Sequence, residues 1–173
     1  KTRPMPEYIF DTTVLSNLAA VGRLELLERR YREVGLTTIE VSDELRRGLQ
    51  AGYEYLELAL WQIQSINPGG WIRIVNPESA LEHQLRSDFD LVLDAGEASC
   101  LALAISRGLC LVTDDLAARQ LAQQRKVPLT GTLGILITAV RGRSLSLSEA
   151  NALLVQMIER GYRSPVYGLD ELV

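Results

Sequence analysis

The run Leu109-Cys-Leu-Val-Thr113 sets the tightest limit on what this chain can fold into. Five uncharged, mostly apolar residues without alternation read as a strand covered on both faces, the pattern of a parallel sheet. Parallel strands need long crossovers, usually helical, and the rest of the sequence supplies them. Tyr8–Phe10 is a short apolar run ending at Asp11, and Val34–Thr38 and Trp71–Val75 read as further strands. Val127–Thr130 reads as another. Between them, apolar residues at helical spacing predict helices over Thr12–Ala20, Arg23–Arg32, Ile39–Leu49 and Tyr53–Ile66, the last stopped by Asn67-Pro-Gly-Gly70. Asn76-Pro77 reads as a cap with proline in the first turn, opening a short helix to about Ser87. Ala98–Ile105 is apolar nearly all round and so belongs inside. Leu116–Arg125 and Leu133–Val140 follow, and Ser146-Leu-Ser-Glu149 is a capping box opening a last helix to Arg160. Gly161–Val173 fits a loop or an edge strand equally.

Strands alternating with helices predict a three-layer α/β fold, a central and mainly parallel sheet flanked by helices. At 173 residues, 47% hydrophobic, the chain can build one core without staples. The expected organisation is a single domain over 1–173, with a helical elaboration at 52–90 and a C-terminal helix and tail at 144–173.

Several function classes drop out on composition. Cys100 and Cys110 both lie in apolar runs and read as buried thiols of a reducing, cytoplasmic compartment. With one histidine, His83, and no C-x-x-C, a zinc site built from Cys and His is excluded. No apolar run reaches membrane-spanning length, and the basic stretch Lys1–Glu7 is not followed by the apolar core of a secretory signal. A net charge of −4 argues against holding nucleic acid through a bulk positive field. It leaves room for an enzyme that meets phosphate through a bound metal.

The carboxylates carry the chemistry. Asp11 follows the first strand, and Glu44 lies on the helix after the second. Asp94 and Glu97 open the buried helix, and Asp114-Asp115 end the best strand. Ligands of open parallel sheets bind beyond the carboxyl ends of the strands, so these acids should meet at one edge. Each also has a local reading. Asp11, Asp114 or Asp115 can cap the following helix. Asp94-Ala-Gly-Glu97 has the form of a capping box, and Glu44 fits a solvated helix face. Together, though, clustered carboxylates repel unless a cation neutralises them. Oxygen-only ligands suit Mg²⁺ or Mn²⁺, which serve phosphodiester hydrolysis.

The ordered segments Asp11-Thr-Thr-Val-Leu-Ser-Asn17, Val41-Ser-Asp-Glu44-Leu45, Asp94-Ala-Gly-Glu97-Ala98 and Leu111-Val-Thr-Asp-Asp115 resemble the acidic motifs of PIN domains. Ala117-Ala-Arg119 and Gly131-Thr-Leu-Gly134-Ile-Leu136 resemble a prokaryotic subgroup close to VapC-type toxins, so the likeness covers roughly 7–140. It implies a metal-dependent ribonuclease. Asp11, Glu44, Glu97 and Asp115 match the family's four acids, with Asp114 the subgroup's extra one. Asp11, Glu97, Asp115 and Asp114 would be the metal ligands. Thr13 matches the hydroxyl that orients the first aspartate, with Asp94 and Thr113 auxiliary. Arg46, Arg47 and Arg119 are candidates for phosphate contact. The resemblance further implies an RNA substrate, an antitoxin partner and a homodimer. The aromatic group Tyr53, Tyr55, Trp61 and Trp71 fits core packing or a protein interface better than base stacking.

Two other classes compete. One is a non-catalytic RNA- or protein-binding module, although a phosphate binder gains nothing from clustered negative charge. The other is an aspartyl-phosphate phosphohydrolase or receiver-like domain, although Asp11-Thr-Thr13 lacks the Asp-x-Asp pair of the former.

Overall fold

The computed structural model describes residues 5–173; the basic residues Lys1 and Arg3, weighed above against a secretory signal, lie outside the described residues. The chain runs β1 (Tyr8–Phe10), α1 (Thr12–Ala20), α2 (Glu25–Tyr31), β2 (Gly35–Thr37), α3 (Ile39–Gln50), α4 (Leu56–Leu60) and β3 (Arg73–Ile74). It continues through α5 (Ala80–Phe89), α6 (Ala95–Arg107), β4 (Cys110–Val112), α7 (Leu116–Gln124), β5 (Leu129–Thr130), α8 (Thr132–Arg141) and α9 (Leu147–Glu159).

The five strands form one sheet in the order β3-β2-β1-β4-β5, every neighbour parallel. Its centre explains the apolar runs. β1 lies between β2 and β4, with Ile9 opposite Leu111 and Phe10 opposite Val112, and all four side chains are fully buried. Helices cover the sheet. α3, α5, α6 and α7 pack along one chain of contacts, and α1, α2, α8 and α9 along another. Phe10 meets Trp71 edge-on at 5.9 Å, and a Cβ on Gly35 would strike that indole. Trp71 is therefore core, whereas Tyr53 and Trp61 are exposed.

The strand order decides where the site lies. From β1 the chain builds outward through β2 and β3, then returns to β4 on the other side of β1. The two halves part beyond the carboxyl ends of β1 and β4, the crevice in which open α/β sheets bind ligands. Asp11 follows β1 directly, and Asp114 and Asp115 follow the end of β4.

Three sequence expectations need correction. The helix expected over Tyr53–Ile66 is only α4, five residues long. Leu56, Ala59, Leu60 and Ile63 are buried as the spacing requires, but the Gln62 carbonyl accepts from the Trp71 and Ile72 amides and pulls the chain out of the helix. Asn76-Pro77 does not open α5; Ser79 caps it, with Glu82 closing a reciprocal capping box. Glu82 wins that choice because it accepts from the Glu78 and Ser79 amides and from Arg107 at once. α6 begins at Ala95, a turn before Ala98, because the Asp94–Glu97 capping box satisfies its first amides. It ends at Gly108 in the left-handed conformation, φ 67°. The tail 161–173 is loop rather than strand, pinned by fully buried Leu169.

Candidate active site

Asp11 is the centre of the crevice and is fully buried. Its position between two strands explains how a buried carboxylate is tolerated. Oδ1 accepts from the Thr13 amide at 3.0 Å and the Thr13 hydroxyl at 2.6 Å, while Oδ2 accepts from the Thr113 hydroxyl on β4's end. Those bonds pull its pKa down, but burial outweighs them and, with the nearby charge of Asp114, lifts it to about 7. Glu97, half-buried on the first turn of α6, is lifted to about 7 as well, by burial first and then by the charges of Asp115 and Asp11. Burial, and after it the charges of neighbouring carboxylates, thus disfavours the charged form of both groups.

Asp115 borders the same crevice. Its Oδ1 caps α7 by accepting from the Ala118 amide at 2.7 Å, and its own amide donates to the Thr113 hydroxyl at 3.0 Å. Thr113 therefore holds Asp11 with its proton and Asp115 with its lone pair. Asp94 plays the capping role read for it, its amide donating to Glu97 Oε2 at 3.1 Å. Glu97 Oε1 has no protein donor among the described residues.

Glu44 and Asp114 are bound more tightly to the protein. Glu44 accepts from the Thr12 hydroxyl and from the Gly96 amide at 2.8 Å, tying α3 to the starts of α1 and α6. Asp114 accepts from the Thr132 amide at 2.9 Å, the Thr132 hydroxyl at 2.5 Å and Asn17 Nδ2 at 2.9 Å. Its amide in turn donates to the Thr13 hydroxyl at 2.9 Å. Thr12, Asn17, Gly96 and Thr132 were given no role from sequence. The motifs contain all four, but a motif does not say which hydroxyl faces which acid.

Two depressions open beside these residues, and the fully buried Asp11 lines neither. A groove of about 770 Å³ runs past Thr13, Asn17, Asp114 and Arg119 to the tail at Tyr162–Pro165. A more open cleft of about 370 Å³ is bordered by Leu91–Asp94, Glu97 and Ala117. Asp115 borders both. Arg119 donates to the Thr113 carbonyl at 2.9 Å. Arg46 and Arg47 are exposed on α3 and border neither depression; Arg46 lies 3.7 Å from Asp43.

The donor set is carboxylate oxygen, with no histidine at hand and both cysteines buried. Among the described residues no three Asp, Glu, His or Cys side chains are already gathered closely enough to hold a metal ion; both oxygens of Asp11 and one each of Asp115 and Glu97 accept from threonines or amides. The chemistry still fits a hard divalent cation, because the donors are carboxylate oxygens that burial first, and neighbouring carboxylates second, disfavour in the charged form unless a cation neutralises them. No helix among the described residues is long and apolar enough to cross a membrane.

No curated protein matches the sequence. The crystal structure of PAE2754 from Pyrobaculum aerophilum shares the fold, with a TM-score of 0.50 at 23% identity over 79% of this chain and 98% of that one. A family model for the PIN domain matches residues 7–172, from the approach to β1 to the end of the tail, and on that match the chain belongs to the PIN-domain family, a nuclease-type family.

Proposed function

We propose that the chain is a divalent-metal-dependent endoribonuclease and the toxin half of a toxin–antitoxin pair. The observation that carries the reading is the placement of the acids at the parting of β1 and β4: Thr113 joins Asp11 to Asp115, and Asp115 borders one cleft with Glu97, in a chain of the PIN-domain family. Asp11, Glu97 and Asp115 would hold Mg²⁺ or Mn²⁺, with Asp114 at their flank. Bound there, the cation supplies an activated water and a counter-charge for the leaving oxygen.

The chain's own residues do the rest. Thr13 and Thr113 orient Asp11, and the Thr113 hydroxyl also sets the Asp115 amide. Glu97 keeps Oε2 on the Asp94 amide, which leaves Oε1 as the oxygen available to a cation. Glu44 acts through position, fixing the start of α6 and with it Glu97. An antitoxin and a second copy belong to the same reading; exposed Leu91, Val92 and Leu116 beside the acids give a protein partner an apolar rim.

A phosphohydrolase reading lacks its second acid, because Thr13 stands where the Asp-x-Asp pair needs an aspartate, and the Thr13 hydroxyl instead donates to Asp11. A non-catalytic binding module draws support from the engagement of the acids by protein donors. Cleavage of a labelled total-RNA pool with Mn²⁺ or Mg²⁺, against EDTA, separates the two. Cut RNA is expected; metal binding with no cut RNA supports the module.

A further inference from the structure

We propose that Arg119 and the tail segment Tyr162–Pro165, through Arg163, clamp a phosphate of a single-stranded RNA beside the one being cut. The inference rests on the nuclease reading above and concerns how an acidic protein holds its substrate.

A chain of net charge −4 cannot rely on a diffuse positive field, so its phosphate contacts must be few and local. The 770 Å³ groove carries two guanidinium groups, Arg119 on one wall and Arg163 on the other. Neither pairs with a carboxylate among the described residues. The two arginines share this groove with Asp114 and Asp115, and Asp115 also borders the cleft of Glu97, so a phosphate held by the arginines lies next to the acids.

Both arginines sit on fixed supports. Arg119 is tied to the carbonyl of Thr113, the residue whose hydroxyl holds Asp11, so the guanidinium keeps register with the centre. The tail is not free chain. The Ser164 hydroxyl donates to the Val166 carbonyl at 2.6 Å, the Leu169 amide donates to Asn151 Oδ1 at 2.8 Å, and Leu169 is fully buried on this segment. Leu116 and Leu133 line the groove between the two walls. Tyr162, which lines the same groove, brings an aromatic ring of the kind on which an unpaired base stacks beside a charged backbone track.

The test is anisotropy of a labelled single-stranded RNA of about twelve nucleotides, a length within the reach of such sites, titrated with the full chain in EDTA. Arg163→Gln and Arg119→Gln should each weaken binding about five- to tenfold and lower the slope of log K against log salt by about 0.7, the value for one phosphate contact on a single strand. Arg163→Lys should restore most of both. In Mn²⁺, Arg163→Gln should raise KM far more than it lowers kcat. Arg119→Gln also loses the bond to Thr113, whereas the Arg163 side chain makes no hydrogen bond among the described residues, so Arg163→Gln stands as the independent arm. Wild-type affinity and slope in Arg163→Gln, with the wild type cutting RNA, overturns the clamp and leaves the nuclease. A wild type that neither binds nor cuts the strand overturns both.

Discussion

Gly96 and Glu44 touch because residue 96 has no side chain. The Gly96 amide donates to Glu44 Oε1 at 2.8 Å, and a Cβ there would stand 2.5 Å from Oε2. Glycine in Asp94-Ala-Gly-Glu97 therefore admits a carboxylate from a different helix against the first turn of α6, whose amides favour negative charge. Gly96→Ala should displace Glu44 and loosen the start of α6. The expected cost is about 1–3 kcal/mol of stability by urea unfolding, as for other losses of a buried charged hydrogen bond. Cleavage should fall with it, because Glu97 stands one residue on.

The metal-free protein should be most stable on the acid side. Asp11 and Glu97 each have a folded pKa of about 7, above the ordinary carboxylate range near 4. The folded state then holds more protons than the unfolded chain between those values, so stability falls as pH rises through that window and stays low above it. Thermal unfolding in EDTA should show a melting temperature about 5 °C or more lower at pH 8 than at pH 5.5. Mn²⁺ should reverse the loss mainly above pH 7. A flat profile in EDTA would contradict the charge reading of the site.

Thr113→Val removes the hydroxyl that lowers the pKa of Asp11 and receives the Asp115 amide. The Asp11 carboxyl should rise further, and the acid limb of the pH–rate profile in Mn²⁺ should move to higher pH. The shift is the diagnostic quantity, since a merely unstable protein loses rate at every pH.

Glu82 provides a contrast outside the site. It is nearly fully buried and accepts from Arg107 Nε at 2.8 Å, from Ser106 and from two amides, which holds its pKa well below the usual carboxylate range. Its contribution is complete above the unfolded value near 4.3 and is lost as pH falls below it. Glu82→Gln should cost about 1.5–3 kcal/mol at pH 7, as for weakening hydrogen bonds to a charged group whose partner Arg107 is partly exposed. RNA cleavage by the folded fraction should be unchanged.

The alternation of apolar runs and helical spacing made the sheet and its flanking helices readable from sequence, because every residue of β1 and β4 except the partly buried Tyr8 is buried. The position of Asp11, Asp114 and Asp115 at the carboxyl ends of β1 and β4 was readable because Asp follows each apolar run directly or within two residues. What stayed hidden was set by contacts between distant segments. Gln62 breaks the helix at Trp61 only because Trp71 and Ile72 arrive beside it. Ser79 displaces Asn76 as a cap because Arg107, on α6, holds Glu82 in place. Thr12 and Thr132 hold acids 32 and 18 residues away, and the tail returns to wall the groove. Local pattern carries none of these.

Titration of Mn²⁺ into the full chain and into Asp11→Asn, followed by calorimetry at pH 7.5, tests the central claim most directly. Asp11, Glu97 and Asp115 as shared ligands predict saturable binding to the wild type and a loss of about tenfold or more in the variant, the scale on which ligand-shell changes act. Equal binding by the two proteins, or no binding heat from the folded wild type, would contradict it.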